Sequence, residues 1–192
     1  MKTIEKIQYI TRDTALMSHS EQAQIMFSQG VKWVQLRMKN AKEEEFYEEA
    51  TKCMYYAKKF NSKLIINDNV KIAYDVNADG VHLGIKDTPL AFARYILGNN
   101  KIIGATANTI NDIEEHYKNG ADYVGLGPYR YTDTKKNLSP VLGIEKYLEI
   151  LDALFNKKIN IPIIAVGGIT IDDIDLLINS GLHGVAISKN MF

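Results

Sequence analysis

Apolar residues are grouped along this chain in short, strand-length runs whose interiors are mostly non-alternating. The runs are Ile7–Thr11, Val31–Arg37, Lys63–Asp68, Gly80–Gly84, Lys101–Ala107, Tyr123–Gly127, Ile161–Ile169 and Gly184–Ser188. Each is strand-length, and most are set off by Gly, Pro, Asn or charged residues. Runs that are apolar on both faces predict a parallel sheet covered on its two sides. Between them lie helix-like segments: His19–Gln29, a long charged one at Glu43–Phe60, a short one from Val70 to Val76, one reaching Leu97 with Pro89 in its first turn, Ile110–Asn119, Gly143–Asn156 and Ile171–Ser180. Gly30, Gly120 and Gly181 follow three of these and suit helix ends.

Strict alternation of strand and helix predicts an α/β architecture. A recurring element sharpens this. The segments 76–83, 118–125 and 179–186 read as variants of one helix-end, turn and strand unit. Such a repeat favours a closed (β/α)8 TIM barrel, a single domain over residues 1–192, above an open doubly wound sheet. The barrel is a short one. Only Lys189 to Phe192 come after the last strand, so the expectation is that the final helix is missing. The outer faces around Tyr9 and Ile187 are then expected to be under-covered and shielded instead by a neighbouring subunit or a displaced first helix, with self-association as a homo-oligomer preferred.

At 192 residues the chain can bury a substantial core. Its 23 basic and 23 acidic residues balance, which argues against a nucleic-acid or anionic-membrane partner, so any anion must be held locally. The single cysteine, Cys53, forms no internal disulfide, and the first residues lack a signal peptide's apolar core. No run is long enough to span a membrane. The expected compartment is the cytoplasm.

Barrel strands present chemistry at their C-terminal ends, and here those ends are polar. Strand two ends in Gln35-Leu36-Arg37-Met38-Lys39, placing Gln35, Arg37 and Lys39 on one side. Strand three ends in Asn67-Asp68, and Asp87 comes after strand four. One carboxylate on each of two neighbouring strand ends suits Mg²⁺, which keeps waters and shares phosphate oxygens. The Asn-Asp pair equally suits a cap for the helix at Val70. His82, within strand four, reads as a hydrogen-bonded packing residue. Strand five ends in Thr106-Ala107-Asn108-Thr109. After strand six, Thr132-Asp133-Thr134-Lys135-Lys136 offers hydroxyls and ammonium groups to a phosphate, although a solvated loop has the same composition. Gly167-Gly168 after strand seven and Ser188 after strand eight match the recurring barrel phosphate cradle.

Taken in order, these motifs resemble the thiamine phosphate synthase family over essentially the whole chain. The signatures are QLRMK at Gln35–Lys39, IND at Ile66–Asp68, GVHLG with a subsequent Asp at Gly80–Asp87, GLGP…TDTKK at Gly125–Lys136, and VGGI at Val166–Ile169. The resemblance implies a transferase that joins an aminopyrimidine methyl diphosphate to a thiazole phosphate, releasing pyrophosphate with Mg²⁺. It implies that Gln35, Leu36, Arg37, Met38, Lys39, Asn67, Thr106 and Lys135 hold the pyrimidine diphosphate, with Arg37, Lys39 and Lys135 supporting the departing pyrophosphate. Asp68 and Asp87 bind Mg²⁺. Thr132, Asp133 and Thr134, with Gly168, Ile187 and Ser188, hold the thiazole phosphate. The implied reaction is dissociative, giving a pyrimidine methyl cation that the thiazole nitrogen captures.

Five positions depart from the family pattern. Thr106 stands where Ser is usual, Asn108 where His is often found, Ile85 where Gln is often found, and Arg130-Tyr131 where Phe-Pro is usual; strand eight also reads as one residue short, at the Ile187–Ser188 assignment. Two other readings stand beside the synthase: a thiazole tautomerase on the same barrel, and a non-catalytic paralogue that only binds a phosphorylated metabolite. Retention of Asn67-Asp68, Asp87 and Arg37 favours the synthase over the tautomerase.

Overall fold

A computed structural model describes residues 2–132 and 139–189 of the chain. The apolar runs form β1 (Ile7–Ile10), β2 (Trp33–Leu36), β3 (Lys63–Asn67), β4 (Gly80–Leu83), β5 (Ile102–Ala107), β6 (Tyr123–Leu126), β7 (Ile163–Val166) and β8 (Gly184–Ile187). The intervening helices are α1 (His19–Ser28), α2 (Glu43–Lys59), α3 (Val70–Asp75), α4 (Leu90–Leu97), α5 (Ile110–Lys118), α6 (Gly143–Asn156) and α7 (Ile174–Asn179), the last entered through a 3-10 turn at Ile171–Asp173. All strand pairs are parallel, and β8 returns to pair with β1, closing a (β/α)8 barrel. The open-sheet alternative is thereby excluded. Most strand ends fall one to three residues inside the sequence limits, because the terminal residues turn out of the ladder. Pro89 sits one residue earlier than expected, at the cap of α4.

Alternation sorts the side chains into two shells. Outward residues form two large clusters beneath the helices, one including Tyr9, Leu36, Leu64, Val81 and Ile103, the other Leu126, Tyr147, Leu177, Val185 and Ile187. Inward residues form a smaller plug of Trp33, Ile65, Ile102, Tyr123, Ile164 and Ala186. Trp33 and Tyr123 meet edge to face at 4.8 Å, a contact worth about 1 kcal/mol beyond burial. Gly104 makes room for them: a Cβ there would lie 2.1 Å from the Tyr123 ring.

The recurring unit is real and has a mechanical role. Asn77, Gly120 and Gly181 each adopt a left-handed conformation at a helix end. Two residues later the main chain rejoins the preceding strand, with Asp79, Asp122 and His183 donating to the carbonyls of Leu64, Ile103 and Ile163. In two copies the carboxylate grips the same strand again, Asp79 accepting from the Leu64 amide at 2.9 Å and Asp122 from Ile103 at 2.8 Å. In the third, the His183 ring instead donates to the Ile4 carbonyl at 2.8 Å, across the junction of β8 and β1.

The under-covered edge expected around Tyr9 and Ile187 is not found. Tyr9 is 0% exposed and Ile187 is 1% exposed. Tyr9 shares a buried cluster with Ala23 and Met26 of α1, and its hydroxyl donates to Gln22 at 2.9 Å. Ile187 shares one with Leu177 of α7. This removes the ground on which self-association was expected there. Residues 190–192, where the final helix was expected to be missing, lie outside the described residues.

Candidate active site

The barrel axis carries a polar column that ends at the mouth. Gln35 donates to Gln8 at 3.1 Å, and Gln8 to the Tyr123 hydroxyl at 3.5 Å. That hydroxyl lies 2.9 Å from His82 Nδ1, and His82 Nε2 lies 2.9 Å from the Thr106 hydroxyl. Since Gln8 donates to Tyr123, the consistent assignment has Tyr123 donating to Nδ1 and Nε2–H donating to Thr106. The Thr106 proton is then left to point at an incoming anion. Complete burial pushes the Tyr123 phenol up, so it stays neutral and serves as a donor. Gln35 is therefore not on an open rim; it is buried at 2% exposure, one layer below the mouth.

Above it, Arg37 comes directly after β2. Its amide donates to the Thr11 hydroxyl, which also meets His19, and His19 pairs with Asp13. Burial lowers the Arg37 pKa, while Asp68 and Asp13 oppose the fall; a guanidinium stays charged through such a shift. Lys39 donates to Asp68 at 2.6 Å. Leu36 turns fully into the outer shell and Met38 also packs there, so from Leu36 only the main chain can reach the mouth. Beside Asp68 a cavity of about 490 Å³ opens between α2 and α4, outside the ring of strands, with Lys39 and Asn67 at its polar edge.

Asp68 itself sits in the left-handed region at φ 64, where a non-glycine residue is uncommon. The helix-cap role belongs to its neighbour: the Asn69 side chain accepts from the Ile72 amide at 2.9 Å. Asp68 is thereby left facing Asp87, and the two are hydrogen-bonded to each other. The Gly84 amide donates to Asp87 at 2.6 Å and folds it back over the mouth. Burial and the Asp68 carboxylate push the Asp87 pKa up to about 6. Burial also works to raise Asp68, but its hydrogen bonds with Asp87 and Lys39 outweigh this and hold it below the usual carboxylate range. Two carboxylates this close hold a proton between them below about pH 6 and repel above it, a repulsion that a divalent cation relieves. Among the described residues there is no cluster of three or more His, Cys, Asp or Glu. The donor set therefore fits a hard ion that draws its other ligands from water and phosphate, as Mg²⁺ does.

Across the mouth, the loop leaving β6 lies along the one leaving β7. Tyr129 and Arg130 donate main-chain bonds to Val166 and Gly167 at 2.9 and 3.0 Å. Gly168, at φ 69, is where they touch: a Cβ there would meet Arg130 Cβ at 2.8 Å and the Tyr131 carbonyl at 2.9 Å. Thr132 and Ser188 are both half-buried nearby in the order of strands. Ile187 turns into the outer shell, so only its main chain can contribute. Asp133, Thr134, Lys135 and Lys136 lie outside the described residues.

The departures now have places. Thr106 keeps its hydroxyl in the column, with His116 donating to its carbonyl at 2.9 Å from behind. Asn108 donates to the Gly127 carbonyl and ties the end of β5 to that of β6. Ile85 is exposed. Sequence reasoning missed Gln8, Tyr123 and Asp173; an inward Gln8 beside an inward Gln35 was the available signal for the first.

The chain matches the family described as thiamine monophosphate synthase over residues 7–191. It belongs to that family. It is 46% identical over 187 residues to the thiamine-phosphate synthase of Phocaeicola vulgatus, covering 97% of this chain and 89% of that one. With the enzyme of the same name from Flavobacterium johnsoniae it is 44% identical, over 95% of this chain and 86% of the relative. A solved structure of thiamine phosphate pyrophosphorylase from Pyrococcus furiosus superposes with a TM-score of 0.82 at 32% identity, covering 95% and 85% of the two chains. The members named here are transferases, and neither the tautomerase reading nor the non-catalytic one is favoured. Among the described residues no helix is long and apolar enough to cross a membrane.

Proposed function

We propose that the chain joins 4-amino-2-methyl-5-(diphosphooxymethyl)pyrimidine to a thiazole phosphate, giving thiamine phosphate and pyrophosphate. The observation that carries this is the gathering of Arg37, Lys39, Asn67, Asp68, Asp87 and Thr106 at the ends of β2 to β5, within a chain of this family. The donor diphosphate lies over that half of the mouth. Lys39 exchanges Asp68 for a phosphate oxygen, Arg37 holds the terminal phosphate from its half-buried seat, and Thr106 donates its hydroxyl proton. Asp68 and Asp87 hold Mg²⁺, which when bound offsets charge on the leaving pyrophosphate. Lys135 joins from the opposite loop. The main chain at Gly168, Ile187 and Ser188, with Thr132, Asp133 and Thr134, holds the acceptor phosphate so that the thiazole nitrogen faces the methylene carbon.

No nucleophile or strong base is required of the protein in this scheme. The methylene C–O bond breaks with its electron pair leaving on pyrophosphate, and the nitrogen lone pair then forms the new C–N bond. The protein's part is electrostatics and positioning. At 4 Å and an effective dielectric of about 20, one unit charge pair contributes roughly 4 kcal/mol, against about 1.4 kcal/mol per tenfold in rate. Incubating the protein with both substrates and Mg²⁺ tests the reading, with thiamine phosphate the expected product. Asp68→Asn is expected to cut turnover on the order of a hundredfold while its melting curve stays cooperative. Undiminished turnover in that variant, or with a chelator present, would remove the metal from the scheme.

A further inference from the structure

Arg130 stands where the family usually has an apolar residue, and it is fully engaged. Its guanidinium grips Asp173 with both arms, Nη1 to Oδ2 at 2.5 Å and Nη2 to Oδ1 at 2.7 Å. Its cationic plane also covers the Tyr129 ring at 4.6 Å, and Tyr129 stacks on Tyr147 of α6 at 5.7 Å. Asp173 is the better buried partner, at 7% side-chain exposure against 49% for Arg130. The same carboxylate accepts from the Thr170 amide at 2.9 Å and hydroxyl at 2.8 Å, so it already fixes the turn after Gly167-Gly168. A two-pronged, charge-assisted fork of this kind fixes direction as well as distance. It joins the loop after β6 to the turn after β7 at the level where Arg130 and Tyr131 lie against Gly168.

We infer that Arg130 is a positioning residue for the acceptor: through Asp173 it holds Thr132 in register with the Gly168 main chain, so that one thiazole phosphate can meet both. The inference rests on the proposed placement of that phosphate. Arg130 does not touch the substrate. It sets the gap between two loops that do. Most of the diphosphate side stands apart from this pair, because Arg37, Lys39 and the two metal-site carboxylates stand on β2 to β4 and the loops after them; of the residues proposed there, Lys135 alone follows Arg130 in sequence. A defect in the latch is therefore felt in the binding of the acceptor far more than in that of the donor.

The test is steady-state kinetics with each substrate varied in turn. Arg130→Met is expected to raise KM for the thiazole phosphate by about tenfold, with KM for the pyrimidine diphosphate within about twofold of the parent. Arg130→Lys, which keeps the charge but loses the fork, should fall between. Asp173→Asn should raise the same KM, and the double variant should be no worse than the poorer single one. Equal effects on both substrates, or on neither, overturn the latch. So does a rise in Arg130→Met that Asp173→Asn does not share, since that marks direct contact of Arg130 with the phosphate. Thr132→Ala separates the two levels. If it leaves the thiazole phosphate KM unchanged, the placement of the phosphate is wrong; if it raises that KM while Arg130→Met does not, the placement stands and the latch fails.

Discussion

Asp87 is held between two unfavourable surroundings, a half-buried seat and a neighbouring carboxylate, which push its pKa up to about 6. In metal-free protein this has a definite sign. Between an ordinary carboxylate value near 4 and about 6, the folded chain binds a proton at Asp87 that the unfolded chain has released. Raising the pH through that window therefore removes stability. Asp68, whose pKa is depressed, acts in the opposite sense, but its contribution is lost only below the usual carboxylate range. Melting temperatures of chelator-treated protein are expected to fall from about pH 4.5 to about pH 7, and Asp87→Asn should flatten part of that fall. Identical slopes for parent and variant would contradict the shared-proton description. At this scale the sequence was informative about chemistry and silent about partners. It marked Asp68 and Asp87 as a pair because both end neighbouring strands. It could not show that Gln8 and Tyr123 continue inward from Gln35 and His82, since a hydrogen bond between residues 8 and 123 depends on closure of the barrel.

The turn from β3 to α3 shows how an element divides labour between adjacent residues. Asn67 ends the strand, Asp68 adopts the left-handed conformation, and Asn69 caps the helix. Asn69→Ala is expected to destabilise the protein by about 1 kcal/mol with turnover largely kept. Asp68→Asn should do the reverse, and denaturant midpoints beside turnover numbers separate the two. A loss of activity in Asn69→Ala as large as in Asp68→Asn would show that the turn acts as one unit. The elements themselves were readable because each run is apolar on both faces. Their ends were less so, since a terminal residue such as Arg37 or Ser188 has a strand's spacing but the main chain of a loop. The Arg130–Asp173 fork was beyond reach, as nothing in either local segment announces a partner 43 residues away.

At the scale of the molecule, seven of the eight strand pairings among the described residues join neighbours in sequence, and the eighth joins β8 to β1. That junction is held by the ladder at Ile7 and Val185, by the Val185 amide on the Lys6 carbonyl, and by His183 on Ile4. Opening there frees more chain than opening anywhere else, because it alone closes nearly the full length. The Val185 amide is therefore expected to exchange with solvent deuterium by a lower-energy opening than the Val124 amide, which bonds Pro162 between sequence neighbours. Protection at Val185 equal to that at Val124 would show that the barrel opens only as a whole.

The same junction gives the enzyme a clock. A chain that has assembled β1 to β5 has all of the residues proposed for the donor except Lys135, and nothing yet with which to hold an acceptor. Contacts so distant in sequence form late, after the local βα units. On that order of assembly, product formation is expected to begin only when the last strand docks, whatever part of the donor half has formed before it. The return of thiamine phosphate synthesis during refolding should track the slow, closure-limited phase and lag behind the recovery of helical signal, which makes turnover itself a reporter of when the ring is complete.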